Sequence, residues 1–374
     1  MKKIAHKLHL ILGIISGLVV FIVAITGCLW VFQEEISSLS SKKYVIENQG
    51  KAFISPTKAK EIACAEIPDK KIHGTIYGNQ SDPVTVVFYQ TEPEFYWSLY
   101  LNPYTGAVLG KKNHREGFFW WVLKGHLYLW LPKDVGSQIT GYGTMIFVIM
   151  LFSGIVLWWP KKKKNLKQRM TFSWSNRSKW RRKNYDIHNI GGFYISIIAL
   201  IIAFSGLVMA FDWVYYMTYK AWGGNKSPRF ETPMNISGKV SLSQAKFIDT
   251  VVGDLKSEYP DYKEIEVHYP HSDSTGLFVE VSKTDGIYYN SDYLFFDQRT
   301  GDKLDPKSIY STYTNASIAD KVIRMNYDIH IGAIGGFFGK ILACIISLVA
   351  ASLPISGFMI YLGRKNKVKN KNPK

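Results

Sequence analysis

Four stretches of the chain contain no Asp, Glu, Lys or Arg: residues 10–32, 137–159, 189–211 and 341–362, each 22 or 23 residues long. At about 1.5 Å of rise per residue, roughly 20 apolar residues cross the ~30 Å hydrocarbon core of a bilayer. A backbone exposed to lipid must satisfy its own hydrogen bonds, and an uncharged run of this length does so as a helix. The four runs predict four transmembrane helices.

The charge distribution agrees. Of 374 residues, 46 are Lys or Arg and 29 are Asp or Glu, a formal net charge of +17. Three short segments, 1–8, 160–187 and 363–374, hold 20 of the basic residues against a single acid, Asp186. The rest of the chain is close to neutral. A nucleic-acid-binding domain carries its charge on a folded face; here the excess sits where apolar runs end. The predicted partner is therefore the lipid bilayer, and no nucleic acid is expected. With four crossings all three basic segments fall on one side, and Lys/Arg-rich loops stay cytoplasmic. Both termini and the loop at 161–183 are predicted to be cytoplasmic, with residues of about 34–136 and 212–330 outside. Trp30, Trp158, Trp159 and Trp213 mark span ends, as an interfacial aromatic belt requires. The basic start and first apolar run are similar to a signal peptide, and Ile25-Thr26-Gly27-Cys28 to a lipoprotein cleavage site. The run continues through residues 29–32, too long for a typical signal core, so it is read as a retained helix.

Cys28, Cys64 and Cys344 form no CxxC and no even set. Neither a disulfide framework nor a structural zinc site is expected, and Cys28 and Cys344 read as small hydrophobes inside apolar runs.

The chain also repeats itself once. His9 lies 17 residues before Thr26-Gly27 and His188 lies 17 before Ser205-Gly206, with Gly13 and Gly192 each four beyond their histidine. In the other helix pair, His126 precedes Ser153-Gly154 by 27 residues and His330 precedes Ser356-Gly357 by 26. The segments between the spans match as well. Residues 54–66 and 240–257 are predicted helices, with Ser55-Pro56 and Ser241 or Ser243 as start signals. Strand-like runs follow at 84–89, 96–101, 276–282 and 293–296. Each segment closes on a turn, Asn102-Pro103-Tyr104-Thr105-Gly106 and Asp297-Gln298-Arg299-Thr300-Gly301. Each half is thus a helix, a small α+β domain and a helix, and the repeat is parallel.

On the His-to-Gly helices, the two Thr-Gly turns and the span end Ser153-Gly154 through Trp158-Trp159-Pro160-Lys161, the sequence resembles the PepSY-associated transmembrane helix proteins. The resemblance covers nearly the whole chain. It implies a membrane protein of the bacterial inner membrane: an α-helical four-helix transmembrane bundle with two extracytoplasmic α+β PepSY-like domains and an internal two-fold parallel repeat. The corresponding division is a first membrane helix (1–33), a first PepSY-like domain (34–115), an interfacial helix (116–136) and a second membrane helix (137–160). A basic cytoplasmic loop (161–187), a third membrane helix (188–213), a second PepSY-like domain (214–329), a fourth membrane helix (330–362) and a basic cytoplasmic tail (363–374) complete it. Members of this family are often iron-regulated. Some are similar to ferric-siderophore reductases that carry haem b in the bundle, and the resemblance implies that chemistry.

Four of the nine histidines sit at span edges in repeat-related places: His9, His126, His188 and His330. A lone boundary histidine is most simply an interfacial side chain; four at matching positions weaken that reading. An imidazole pair can hold haem iron from both faces. Topology pairs His9 with His188 on the inner side and His126 with His330 on the outer side, giving two haem b groups. His6 competes with His9, but the repeat aligns His6 with Tyr185 and His9 with His188. Residues 118–130 are predicted to form a short aromatic interfacial helix that carries His126 back over the bundle, with His114 as a weaker substitute. Pro354 is expected to kink the fourth span. His73, His268 and His271 show no repeated spacing, and structural or solvated roles are expected for them. Arg324 and Lys124 are expected near a substrate surface in the cleft between the two outer domains and the outer haem, with contact to haem propionates or to lipid headgroups as equal alternatives for both.

There is no G-x-G-x-x-G opening a βα unit, no Walker A loop and no H-E-x-x-H. Electrons would come from a quinol or a cytoplasmic reductase, and the acceptor would be a ferric chelate or siderophore. Two other classes compete: a PepSY-type regulatory or peptidase-inhibitory membrane protein without redox activity, and a transporter or assembly subunit, which the uncharged spans disfavour.

Overall fold

The computed structural model describes residues 2–40, 44, 46–160, 166–236, 244–270 and 272–369. In chain order the elements are α1 (Lys2–Val31), α2 (Gln33–Ser40), α3 (Pro56–Glu66), β1 (Ile72–Tyr77), β2 (Val84–Gln90), β3 (Phe95–Leu101) and β4 (Val108–Asn113). Next come α4 (Gly117–Tyr128), α5 (Lys133–Trp158), α6 (Leu166–Met170), α7 (Trp180–Asp186), a π-helical turn at Ile187–Gly191, α8 (Gly192–Ala210) and α9 (Asp212–Ala221). The chain ends with α10 (Gln244–Glu258), β5 (Glu264–His268), β6 (Leu277–Ser282), β7 (Asp292–Phe296), β8 (Lys303–Leu304), α11 (Ile318–Arg324), α12 (Asn326–His330) and α13 (Gly336–Lys369). Ser241, Ser243, His271, residues 161–165 of the basic loop and 370–374 of the tail lie outside the described residues.

The chain divides into two compact units. The helical unit comprises Met1–Ile36, Phe118–Tyr215 and Asn326–Lys374. Four helices long and apolar enough to cross a membrane lie in it, at Lys2–Val31, Lys133–Trp158, Trp180–Ala210 and Ala333–Lys365. Here α1 packs on α5 and α13, and α8 packs on the same two, closing a four-helix bundle. Its centre is apolar and small: Leu151, Ile195, Ala199, Ile346 and Ala350. Apolar side chains also cover its outside, Leu18, Ile197 and Phe358 among them, as lipid requires. Pro354 lies inside α13 and does not end it; a Cβ on Gly17 of α1 would stand 3.2 Å from its ring.

One sequence expectation is corrected in this unit. Cys28 of α1 and Cys344 of α13 are joined in a disulfide, with Cα atoms 4.5 Å apart. They are 316 residues apart in sequence, and only the side-by-side packing of the first and last spans brings them together. Cys64 is free and exposed.

The second unit comprises Ser37–Gly117 and Tyr216–Met325. Its eight strands form one antiparallel sheet in the order β4-β3-β2-β1-β5-β6-β7-β8. The segments read from sequence as two separate domains are therefore joined through β1 and β5, where Thr75 pairs with Val267 and Ile76 with Glu266. The core lies on one face, under α3 and α10, where Ala59, Ala63, Val252 and Leu255 meet Leu99 and Val267. Sequence sets both helix starts and turns. Ser55 caps α3, its Oγ accepting from the Lys58 amide at 3.3 Å, with Pro56 in the first turn. Ser317 and Asp320 form a capping box on α11.

The two Thr-Gly turns adopt the same form. The Asn102 and Asp297 side chains accept from the second and third amides after them, at 2.9 and 3.0 Å and at 2.7 and 3.3 Å respectively. The turns close on Gly106 (φ +75°) and Gly301 (φ +82°), in the left-handed region that a side chain disfavours. Around Gly301 a Cβ meets nothing nearer than 3.7 Å, so Gly301→Ala should cost only the backbone term, about 1–2 kcal/mol. Gly106→Ala should cost that plus the displacement of Ile62, whose Cδ1 would lie 2.6 Å from the new Cβ. Thermal unfolding midpoints of the two variants measure the difference; equal, negligible shifts would contradict it.

Candidate functional site

All four span-edge histidines lie in the helical unit, and each meets a different helix at a Ser/Thr-Gly pair. His9 of α1 faces Ser153-Gly154 of α5, and His188, in the π turn before α8, faces Ser356-Gly357 of α13. His126 of α4 faces Thr26-Gly27 of α1, and His330 of α12 faces Ser205-Gly206 of α8. The glycines bring the rings close, most tightly at Gly27, while Gly154 leaves ordinary contact distance. A Cβ would stand 2.9 Å from the His126 ring at Gly27, 3.1 Å from His188 at Gly357, 3.2 Å from His330 at Gly206 and 3.5 Å from His9 at Gly154.

The ring nitrogens are distinguished by their partners. Nδ1 of His126 lies 2.9 Å from the Val23 carbonyl, that of His188 lies 3.1 Å from the Leu353 carbonyl, and that of His330 lies 3.0 Å from the Ile202 carbonyl. A carbonyl only accepts, so each Nδ1 carries the proton. Nδ1 of His9 lies 2.8 Å from Ser153 Oγ, which itself donates to the Met150 carbonyl at 3.0 Å and so accepts from the imidazole. In all four neutral rings the lone pair is left on Nε2, the tautomer that a metal-binding histidine with its other nitrogen anchored presents.

The structure brings these residues together in two pairs. The His9 and His188 ring centroids are 6.3 Å apart, and those of His126 and His330 are 6.0 Å apart. The pairs lie at opposite ends of the bundle: His9 and the Val23 carbonyl that holds His126 are separated by 14 residues of α1, a rise of about 21 Å. His126 reaches its place because α4 doubles back before α5. The turn passes through Leu129 and Trp130, both at positive φ, and the Trp130 indole packs on Gly125, where a Cβ would clash at 2.4 Å. Trp130 Nε1 donates to the Trp121 carbonyl at 2.8 Å and locks the turn.

The other histidines are elsewhere. His6 is exposed, its Nε2 2.8 Å from Arg364 Nη1. His114 belongs to the sheet unit, stacked on Tyr96 at 4.3 Å with Nε2 2.9 Å from Ser98 Oγ. Burial, with the Lys112 and Arg115 charges, pushes its pKa down to about 4. Arg324 is buried rather than at a substrate surface; its guanidinium donates to the Ser311 and Ser291 carbonyls and lies over the Tyr293 and Tyr313 rings. Lys124 lies over the Trp120 ring.

Two features escape a reading of the spans alone. One is a pentapeptide that occurs twice: Asn184-Tyr185-Asp186-Ile187-His188 and Asn326-Tyr327-Asp328-Ile329-His330. In each copy the asparagine amide donates, at 3.0 Å, to the carbonyl of the serine that the histidine faces: Asn184 to Ser356 and Asn326 to Ser205. The contact is reciprocal, α8 receiving the histidine that precedes α13 and α13 receiving the one that precedes α8. The other feature is in the sheet unit, where His73, Glu266 and His268 bring three ligand atoms within 4.8 Å of one another. Burial, followed by the neighbouring Glu280 and Glu264 carboxylates, pushes the Glu266 carboxyl up to about 8.

No curated protein sequence matches the chain. Residues 6–364 match the family described as the PepSY-associated TM region, a range that holds nearly all of the four spans, the sheet unit and all four paired histidines. The chain belongs to the PepSY-associated transmembrane family and is a multi-pass membrane protein of that class.

Proposed function

We propose that this protein is a haem b oxidoreductase of the bacterial inner membrane that moves electrons outward to reduce ferric iron held in a chelate such as a siderophore. The observation that carries the reading is the pair of histidine couples with every Nδ1 committed and every Nε2 left with its lone pair. His9 and His188 would hold one haem and His126 and His330 a second. Two imidazoles bound to one iron at about 2 Å place their ring centroids roughly 6 Å apart, and the observed separations are 6.3 and 6.0 Å. When bound, haem supplies the one-electron redox chemistry. The chain's own residues hold each Nδ1–H and fix each imidazole in rotation through Ser153, Ser205, Ser356 and the carbonyls of Val23, Ile202 and Leu353. The glycines let the rings sit close against the neighbouring helices.

The orientation follows from the basic segments: both termini and the 161–183 loop in the cytoplasm, with the His9–His188 pair on that side. The parallel two-fold repeat accounts for one histidine pair at each end. A quinol or a cytoplasmic reductase would donate electrons to the inner pair. Ferric iron, a hard cation, is held by oxygen chelators more tightly than ferrous iron, so reduction would loosen the chelate.

Purified from haem-replete cells, the protein should show a reducible b-type spectrum with two haems per chain; a colourless preparation overturns the reading. His9→Ala or His188→Ala should each remove one haem, and the double variant little more, because a two-ligand site fails as a unit. His126→Ala and His330→Ala should do the same for the other haem and abolish reduction of an external ferric chelate. His6→Ala should keep both. A His9→Ala/His126→Ala protein that retains one full haem breaks the pairing.

Topology is tested separately. In intact spheroplasts an impermeant thiol reagent should label the exposed Cys64 and leave the cysteine of Asn176→Cys unlabelled. The opposite pattern reverses the orientation and the direction of electron flow.

A further inference from the structure

Strand β5 alternates. Ile265 and Val267 are buried in the core under the helices, while Glu266 and His268 turn to the other face of the sheet. Its neighbour β1 would place His73 out of step with that face, but the pairing of β1 with β2 slips between Ile72 and Gly74. The extra residue of this bulge is His73, and a bulge re-aims a side chain. The His73 ring arrives 4.8 Å from that of His268, centroid to centroid. The His268 ring is itself held, stacked on Phe278 at 4.4 Å.

Directly opposite His268 in the ladder stands Gly74. A Cβ there would collide with the Val267 carbonyl oxygen at 2.8 Å and would lie 3.3 Å from Glu266 Oε1 and 3.5 Å from His268 Nδ1, so the pairing requires glycine and the carboxylate and the imidazole border the space it leaves. Glu266 Oε1 and His268 Nε2 are 3.7 Å apart; their side chains are 25% and 16% exposed, with His268 Nε2 itself buried. On the same face His73 and His268 line a cavity of ≈ 310 Å³ with Glu280, Tyr293 and Thr232.

We infer that His73, Glu266 and His268 form a binding site for a divalent first-row transition-metal ion, with the adjoining cavity open for a further, exchangeable ligand. Two imidazoles and one carboxylate are the donor set of non-haem iron(II) and of many zinc sites, and they disfavour calcium and magnesium, which take oxygen. Ligand atoms in a tetrahedral zinc site stand about 3.4 Å apart; the three here lie within 4.8 Å of one another, so binding draws them together by a small adjustment. A dication also balances a region where Glu266 faces Glu280 across the strands. The inference rests on the sheet unit alone and holds whether or not the bundle carries haem.

The full-length protein in detergent, stripped with a chelator, should bind Zn²⁺ in isothermal titration at a site that neither Mg²⁺ nor Ca²⁺ occupies. Removing an outer partner of a metal ligand costs 10–100-fold in affinity, so removing a ligand should cost at least about 100-fold, in His73→Ala, His268→Ala and the nearly isosteric Glu266→Gln alike. Zinc X-ray absorption of the wild-type protein should show two imidazoles in the first shell. His114→Ala, on the same sheet but outside the cluster, should bind as the wild type does. Unchanged affinity in Glu266→Gln and in the doubly substituted His73→Ala/His268→Ala, or a zinc shell without imidazole, overturns the assignment. A colourless protein that still binds zinc at this cluster would refute the haem reading and leave this one standing.

Discussion

An imidazole buried among apolar helices has to put its N–H on an acceptor, and that requirement organises the helical unit. Leaving a buried donor unsatisfied costs about 1–3 kcal/mol, and a hydrogen-bonded helix has few acceptors to offer. The available ones are carbonyls that can accept a second bond and hydroxyls folded back on their own turn. Each histidine here finds one or both: Leu353 and Ser356 for His188, Ile202 and Ser205 for His330, Ser153 for His9 and Val23 for His126. Reaching an acceptor on another helix demands close approach, which the adjacent glycine permits. Ser-Gly and Thr-Gly therefore act as one device: the small residue admits the ring, and the backbone or hydroxyl beside it takes the proton. The same contacts tie α1 to α5 and α8 to α13, so holding the imidazoles and closing the bundle are one set of interactions.

The membrane architecture was legible because lipid imposes it. Uncharged runs of 22–23 residues leave the backbone one solution, and the observed helices run past those runs at one or both ends. The Thr-Gly turns were legible for a similar reason, since a side-chain acceptor followed by a glycine at positive φ leaves little choice. The pentapeptide of Asn184 and Asn326 does not show in an alignment of one half of the chain with the other. It relates two helices within the second half instead. The Cys28–Cys344 bond could not be read from spacing, as nothing in a sequence says that the first and last spans are neighbours.

The sheet unit shows where local pattern stops informing. β2, β3 and β6 are rich in Val, Phe and Tyr and were found; β1 and β5, with the sequences Ile-His-Gly-Thr-Ile-Tyr and Glu-Ile-Glu-Val-His, were not. Both are central in the sheet, yet each carries polar residues on the face away from the helices. Their hydrophobicity is halved, and in β1 a bulge breaks the alternation as well. Pairing between strands nearly 200 residues apart then fuses two segments that look separate in sequence.

That fusion is also why the histidines of this unit carried no signal. His73 and His268 lie far apart in sequence, show no repeated spacing, and by spacing alone deserve a structural role. Their convergence depends on two features that exist only after folding: the register that sets Gly74 opposite His268, and the bulge that turns His73 toward the same face. A side chain at residue 74 would occupy the place into which Glu266 and His268 lean. The pairing itself demands glycine at this position, because a Cβ would stand 2.8 Å from the Val267 carbonyl oxygen of the neighbouring strand. The same missing side chain leaves Glu266 and His268 room on that face, so strand pairing and the convergence of the cluster share one requirement.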